Sequence, residues 1–345
     1  MTVFVYPPRL EDDDHRAAKV GATQTTSKPT PYGHPTSPNI VFWDLPGIGT
    51  PQYPDLETYV QKVQLEKYHT FLIFTYARFT NNDLLLAKEI RSMKKSFFFI
   101  RSKIDVDVRA GSRLSSFNEK ALLMKIRLDC AENLGDLLSN KEDIFLISNH
   151  LVNKWDFVRL TQAILDTLSR NQRESLTLSL NEAITTFSTE MFQRKVNVLK
   201  GRMWKVAAVS AAAAIVPLPD LRVAVDPALI LSELSLYRSQ LGLPEEGSDE
   251  FAKLPLATKE KVLEVGLTTT AQLIEFLAPY VAAATGKKVE RYLPAVGLAI
   301  ASGMSFGATY YALYNLLVTV EDAALRRRPM QLRQLLKKLH VTFRL

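Results

Sequence analysis

Four short apolar runs, spaced far apart and separated by helix-period segments, constrain this chain more than any other feature. They are Ile40–Trp43, Thr70–Thr75, Ser96–Ile100 and Ile144–Ile147, rich in Ile, Val and Phe and almost uninterrupted by polar residues. Runs of this kind suit strands buried on both faces of a parallel sheet. Around them, Leu56–Tyr68, Asn82–Lys94, Phe117–Leu134 and Asp156–Leu168 place apolar residues at helical spacing, with Asn81 or Asn82 as a cap for the second. Strand and helix alternating in this order predict an open α/β sheet with right-handed crossovers. Ligands of such sheets sit at the carboxyl ends of the strands. Those loops are the ones to inspect.

Residues 1–38 are rich in Pro, Thr, Ser, Gly and Asp and read as loop. Beyond Asn171 the strand signal stops, and helices follow, broken at Pro217-Leu-Pro219, Pro227, Leu241–Asp249 and Pro294. The expected division is therefore 1–172 for the α/β part and 173–345 for an all-α part.

With 47% hydrophobic and 23% charged residues, the chain is globular and not disordered or fibrous. The single cysteine, Cys130, excludes an internal disulfide and suits a buried position in a reducing compartment. A net charge of +7 allows anionic partners. No basic run interleaved with aromatics tracks a nucleic-acid backbone, so no nucleic acid is expected. Leu293–Val320 is a stretch of 28 residues without a charge, long enough to span a bilayer. Its proline, glycines and hydroxyl residues suit buried helices instead, and the favoured expectation is a peripheral protein on the cytoplasmic side.

Asp44-Leu-Pro-Gly47 closes the first run. A carboxylate there can hold magnesium, usually through water, and the glycine lets a backbone N–H approach a phosphate. Alone, this spacing equally suits a turn. Ser102-Lys-Ile-Asp105 closes the third run. Guanine presents N1–H and N2–H₂ side by side, and the Asp105 carboxylate can accept both while the stem of Lys103 lies along the base. Adenine lacks that donor pair, and a buried carboxylate left unpaired would cost several kcal/mol, roughly 1–3 or more. Ser148-Asn149 closes the fourth run, where a backbone N–H can meet the guanine carbonyl. Three such elements in order, each at a strand end, point to a guanine-nucleotide site.

Thr30-Pro-Tyr-Gly-His-Pro35, Pro38–Gly49, Phe79–Asp83 and Lys95–Asp107 resemble the immunity-related, interferon-inducible GTPase family, also called p47 GTPases. The resemblance implies a Ras-like G domain, here a P-loop NTPase sheet incomplete at its N-terminus, followed by a helical domain. It also implies binding of GTP or GDP with Mg²⁺, GTP hydrolysis, self-association through the G domain, and action at intracellular membranes in cell-autonomous defence. It puts Asp44 and Gly47 on the magnesium and γ-phosphate side. Lys103, Asp105, Ser148 and Asn149 fall on the base side, and Thr25 or Thr26 at the switch threonine.

The family's phosphate loop, G-x-x-x-x-G-K-[ST], is not found in the 345 residues, and Ile48 stands where Ras-like proteins carry a glutamine. Four charge-assisted hydrogen bonds lost from that loop would cost on the order of 6 kcal/mol, about ten-thousandfold in affinity. A chain beginning at Met1 is therefore expected to bind GTP weakly and to hydrolyse it little. An N-terminally shortened reading frame and a degenerate copy both account for this. The alternative function is a non-catalytic relative that works through its helical part as a membrane-associated interaction protein.

Overall fold

Three of the four apolar runs pair as their composition dictates. The computed structural model describes residues 26–34, 37–76, 79–138, 143–180, 182–215, 225–285 and 306–342. Strands β3 (Thr70–Thr75), β4 (Ser96–Arg101) and β5 (Ile144–Leu146) form a parallel sheet in the order β3-β4-β5. Thr70 to Thr75 lie opposite Ser96 to Arg101, and Phe99 to Arg101 opposite Ile144 to Leu146.

The first run behaves differently. It lies in β2 (Ser37–Asp44), which pairs antiparallel with β1 (Thr30–His34), a segment that the sequence presents as loop. Pro31 and Gly33 hide this strand from propensity, yet an outer strand tolerates a proline because it can spare an N–H. Ile40 is buried and Val41 exposed, the alternation of a strand with one wet face.

Helices α1 (Leu56–Val63), α2 (Asn81–Ser92), α3 (Ile104–Gly111) and α4 (Glu119–Leu134) fill the crossovers. Asp55 caps α1 by accepting from the Thr58 N–H at 2.8 Å. The cap of α2 is Thr80, one residue ahead of the asparagines, in a reciprocal capping box with Asp83. Phe71, Ile73, Phe99, Ile144 and Leu146 from the sheet pack with Leu86, Ile90 and Leu134 from the helices. Each such side chain contributes roughly 1.5–3 kcal/mol by leaving water. Cys130 is part of this core, and burial pushes its thiol up to about 11. It is packing, not a nucleophile.

Helix α5 (Phe157–Thr167) follows the β5 loop, then α6 (Arg170–Leu178). The outer edge of β5 is covered by side chains. The Asp156 carboxylate accepts from the Leu146 N–H at 2.9 Å, and the Asp156 N–H donates to the Leu146 carbonyl at 3.0 Å. Arg127 and Arg159 both donate to the Ile144 carbonyl, at 3.1 and 2.7 Å, and both pair with Asp156.

The chain divides into two compact units between Ile184 and Thr185, inside α7 (Glu182–Phe187). Helices are the regular secondary structure of the second unit among its described residues. It comprises α8 (Thr189–Ile215), α9 (Val225–Gln240), α10 (Asp249–Ala252), α11 (Leu256–Glu264), α12 (Thr270–Thr285) and α13 (Phe306–Thr342). Phe192, Val196, Leu199, Met203 and Ala207 recur at helical period along α8 and are buried. They lie with Ile230 and Leu234 of α9 and Leu313, Leu317 and Val320 of α13 among the buried residues of this unit, where α8, α9 and α13 pack on one another. A G domain followed by a helical domain is the architecture that results. Residues 293–305 of the uncharged stretch lie outside the described residues. No described helix is long and apolar enough to cross a membrane.

Candidate functional site

The carboxyl ends of β4 and β5 are tied together by backbone. The Ser102 N–H donates to the Thr75 carbonyl at 3.0 Å, extending the β3–β4 ladder by one residue. The Ile147 N–H donates to the Arg101 carbonyl at 3.0 Å, and the Ile104 N–H donates to the Ile147 carbonyl at 3.1 Å. Those two bonds set the segment ahead of Asp105 directly against the segment ahead of Ser148. Lys103 takes the left-handed conformation, φ 59°, to turn the chain from β4 into α3. For a residue with a side chain this is uncommon and costly, and it places Asp105 in the first turn of the helix.

Asp105 is 7% exposed, and its Oδ1 has no hydrogen-bond partner among the described residues. The same holds for Oδ1 of Asn149. Ser148 is fully buried, and its hydroxyl accepts from the His150 N–H at 3.2 Å. Arg101, itself 3% exposed, braces this turn with its guanidinium. It donates to the Ser102 carbonyl at 2.6 Å and to the Asp107 carboxylate at 2.7 Å. Burial raises the Asp107 carboxyl above the ordinary range, against the opposing pull of Arg101. The Lys103 ammonium lies 4.3 Å from the centre of the Tyr76 ring.

Asp44 ends β2 at 4% exposure. The Thr26 hydroxyl donates to its Oδ2, while Oδ1 has no partner among the described residues. Thr25 lies outside the described residues. Gly47 is half-buried in the turn after β2. Past it, Gly49 adopts φ 86°, and its N–H donates to the Tyr53 carbonyl at 2.8 Å. A Cβ on Gly49 would stand 2.6 Å from Nδ2 of Asn82, so the left-handed backbone favours glycine there and a larger residue would make the Asn82 amide move. The Tyr53 hydroxyl reaches back 26 positions to the Ser27 carbonyl at 3.0 Å, and its ring meets Tyr59 edge to face at 5.7 Å. Tyr59 is fully buried, and burial above all drives its phenol far up, with Tyr68, Tyr53 and Asp44 adding to the effect.

A buried, half-satisfied carboxylate beside a threonine hydroxyl fits a cation that keeps its waters and takes few protein ligands, as magnesium does. Among the described residues there is no cluster of three or more His, Cys, Asp or Glu able to form an all-protein metal cage. On the base side, a desolvated carboxylate oxygen without a donor fits a ligand that brings its own N–H groups.

The match to known proteins spans the region that carries these residues. Residues 8–326 fit the sequence model of the interferon-inducible GTPases. The chain belongs to the interferon-inducible GTPase family. It is 32% identical over 329 residues to interferon-inducible GTPase 5 of Rattus norvegicus, covering 92% of this chain and 69% of that protein. To interferon-gamma-inducible GTPase 10 of Mus musculus it is 32% identical over 314 residues, 90% of this chain and 74% of the other. T-cell-specific guanine nucleotide triphosphate-binding protein 2 of Mus musculus is 34% identical over 247 residues, 70% of this chain and 57% of that one.

In this member of the family, the structure gathers Lys103, Asp105, Ser148 and Asn149 on one set of strand ends, and Thr26, Asp44 and Gly47 around the end of β2. Sequence reasoning passed over Arg101 with Asp107, Tyr76 and Tyr53. An arginine closing an apolar strand, with a second carboxylate two residues past Asp105, was the available signal for the first pair. Tyr53 and Tyr76 had none, because their contacts join residues 26 and 27 positions apart.

Proposed function

We propose that this chain binds a guanine nucleotide, with Asp105 accepting from the base and Asp44 facing a magnesium ion. One observation supports it most: Asp105 is buried, lacks a donor on Oδ1 among the described residues, and is held in register with Ser148-Asn149 by the Ile104–Ile147 hydrogen bond. Lys103 would wall the base with its stem, and the backbone at Ser148 and Asn149 would meet the guanine carbonyl. Asp44 and Thr26 would orient the water shell of the cation, with the backbone at Gly47 open to a phosphate oxygen. Magnesium, when bound, supplies charge neutralisation of the phosphates. GTP hydrolysis is part of the same proposal, needing a further group to orient water, since Ile48 has none to offer.

Guanosine tests the base side without calling on phosphate contacts. Saturation-transfer NMR at millimolar nucleoside should show transfer to guanosine and little to adenosine, and Asp105→Ala should abolish the guanosine signal. Equal transfer to both nucleosides, or a signal unmoved by Asp105→Ala, would sink the reading.

The wider role we propose is action at an intracellular membrane surface in cell-autonomous defence, with self-association through the G domain. A second reading, in which the helical unit serves as a membrane-associated interaction module without catalysis, is favoured by one observation. Tyr311, Tyr314, Val318 and Leu325 are exposed along one face of α13. Their spacing of three, four and seven keeps them in one row. Sedimentation with anionic vesicles should be weakened by serine at Tyr314 and Val318 together. Unchanged sedimentation would remove the membrane from both readings.

A further inference from the structure

Lys103 is exposed, long and held in a rare backbone conformation, and its ammonium comes to rest over an aromatic ring rather than against a carboxylate. The ring belongs to Tyr76, the residue following β3, and is 55% exposed. Strand ends β3 and β4 lie side by side, with Thr75 opposite Arg101, so Tyr76 and Lys103 leave the sheet together. The Ser102 N–H and hydroxyl both donate to the Thr75 carbonyl, at 3.0 and 3.1 Å, and fix the two exits to each other.

A free lysine side chain loses considerable rotamer freedom when a ligand immobilises it. A ring that already holds the ammonium has ordered that side chain in advance, and the ligand then meets a preformed wall. The attraction is that of a cation for the negative face of an aromatic quadrupole, and it needs no hydroxyl.

We propose that Tyr76 is a positioning residue of the base slot. It acts through Lys103, steadying the lysine so that its stem lies ready to stack on a guanine base. This rests on the guanine-binding reading above and adds to it a residue that never touches the nucleotide's hydrogen-bonding edge.

The test is a double-mutant cycle on the full chain, read as guanosine affinity by saturation-transfer NMR. Tyr76→Leu should weaken binding about two- to fivefold, the range an exposed cation–π contact supports. Tyr76→Phe should retain the parent affinity, because the ring face remains. In a Lys103→Met background, which keeps the stem and removes the charge, Tyr76→Leu should change nothing further. An equal loss in both backgrounds, or a Phe variant as weak as Leu, would overturn the proposal. Circular dichroism melts of each variant exclude loss of fold as the cause. Asp105→Asn serves as the separate check of the slot, since an amide N–H can meet the C2 carbonyl of xanthine. If Asp105→Asn exchanges guanosine for xanthosine while the Tyr76 and Lys103 losses simply add, only the role of Tyr76 falls. If no variant binds either nucleoside, the base-slot reading falls and takes Tyr76 with it.

Discussion

The base side and the magnesium side of the site are built by different means. Asp105 and Ser148 hang from parallel strands whose backbones exchange hydrogen bonds up to the last residue before each. Asp44 ends an antiparallel hairpin, and its surroundings are tied by side chains: the Thr26 hydroxyl on Asp44, the Tyr53 hydroxyl on Ser27. Backbone ties follow from the sheet and survive changes of side chain. Side-chain ties are specific, and each depends on one residue. The base side should accordingly be the stiffer half, and the magnesium side the half that single substitutions loosen.

The largest effect is expected at Asp105. Replacing it with Ala removes an acceptor of two charge-assisted hydrogen bonds, each worth roughly 1.5–3 kcal/mol, and guanosine affinity should fall at least a hundredfold. The fold should remain, as urea melts would show, because the lost carboxylate leaves no donor orphaned at Oδ1 among the described residues.

Next comes Asp156→Ala, which attacks the loop carrying Ser148 and Asn149. It leaves the Leu146 N–H and two guanidinium groups short of an acceptor, and stability should drop by about 2–3 kcal/mol in urea unfolding. A loss under about 0.5 kcal/mol would show that the base side is not stiffened in this way.

Gly49→Ala tests the other half. The left-handed backbone and the approach to Asn82 should together cost about 1–2 kcal/mol, with the Asn82 amide able to swing aside and limit the damage.

Tyr53→Phe is the smallest and the most diagnostic. It removes one hydrogen bond, worth about 1 kcal/mol or less, and hardly alters packing. Amide exchange around Ser27 should accelerate while exchange at Ile104 and Ile147 stays as it was. Acceleration at both places would mean that the two halves open as one unit.

Much of the base side was legible in the sequence because its signals are local. Apolar runs of four to six residues mark buried strands, and a Lys-Ile-Asp or Ser-Asn directly after a run is already at a strand's carboxyl end. The backbone tie between Ile104 and Ile147 then follows from pairing β4 with β5. The magnesium side was legible only in part. Asp44 and Gly47 stand out, but Pro31 and Gly33 hide β1, and the apolar run of its partner β2 reads as a strand of the parallel sheet. Hairpin pairing depends on which segment folds back, and propensity is silent on that when the returning strand carries proline and glycine. Thr80 displaced the asparagines as the α2 cap for a similar reason: only the geometry shows that Asp83 returns the bond.

The covering of β5 by Asp156, Arg127 and Arg159 has a consequence for how such a sheet can be enlarged. A bare strand invites another chain to zip onto it, whether a neighbour's terminus or an aggregating copy. Here the outward N–H of Leu146 and the outward carbonyls of Ile144 and Leu146 are already answered by one carboxylate, two guanidinium groups and one backbone amide. Lateral recruitment is barred on that flank. A strand joining on that side would first have to displace Asp156, Arg127 and Arg159.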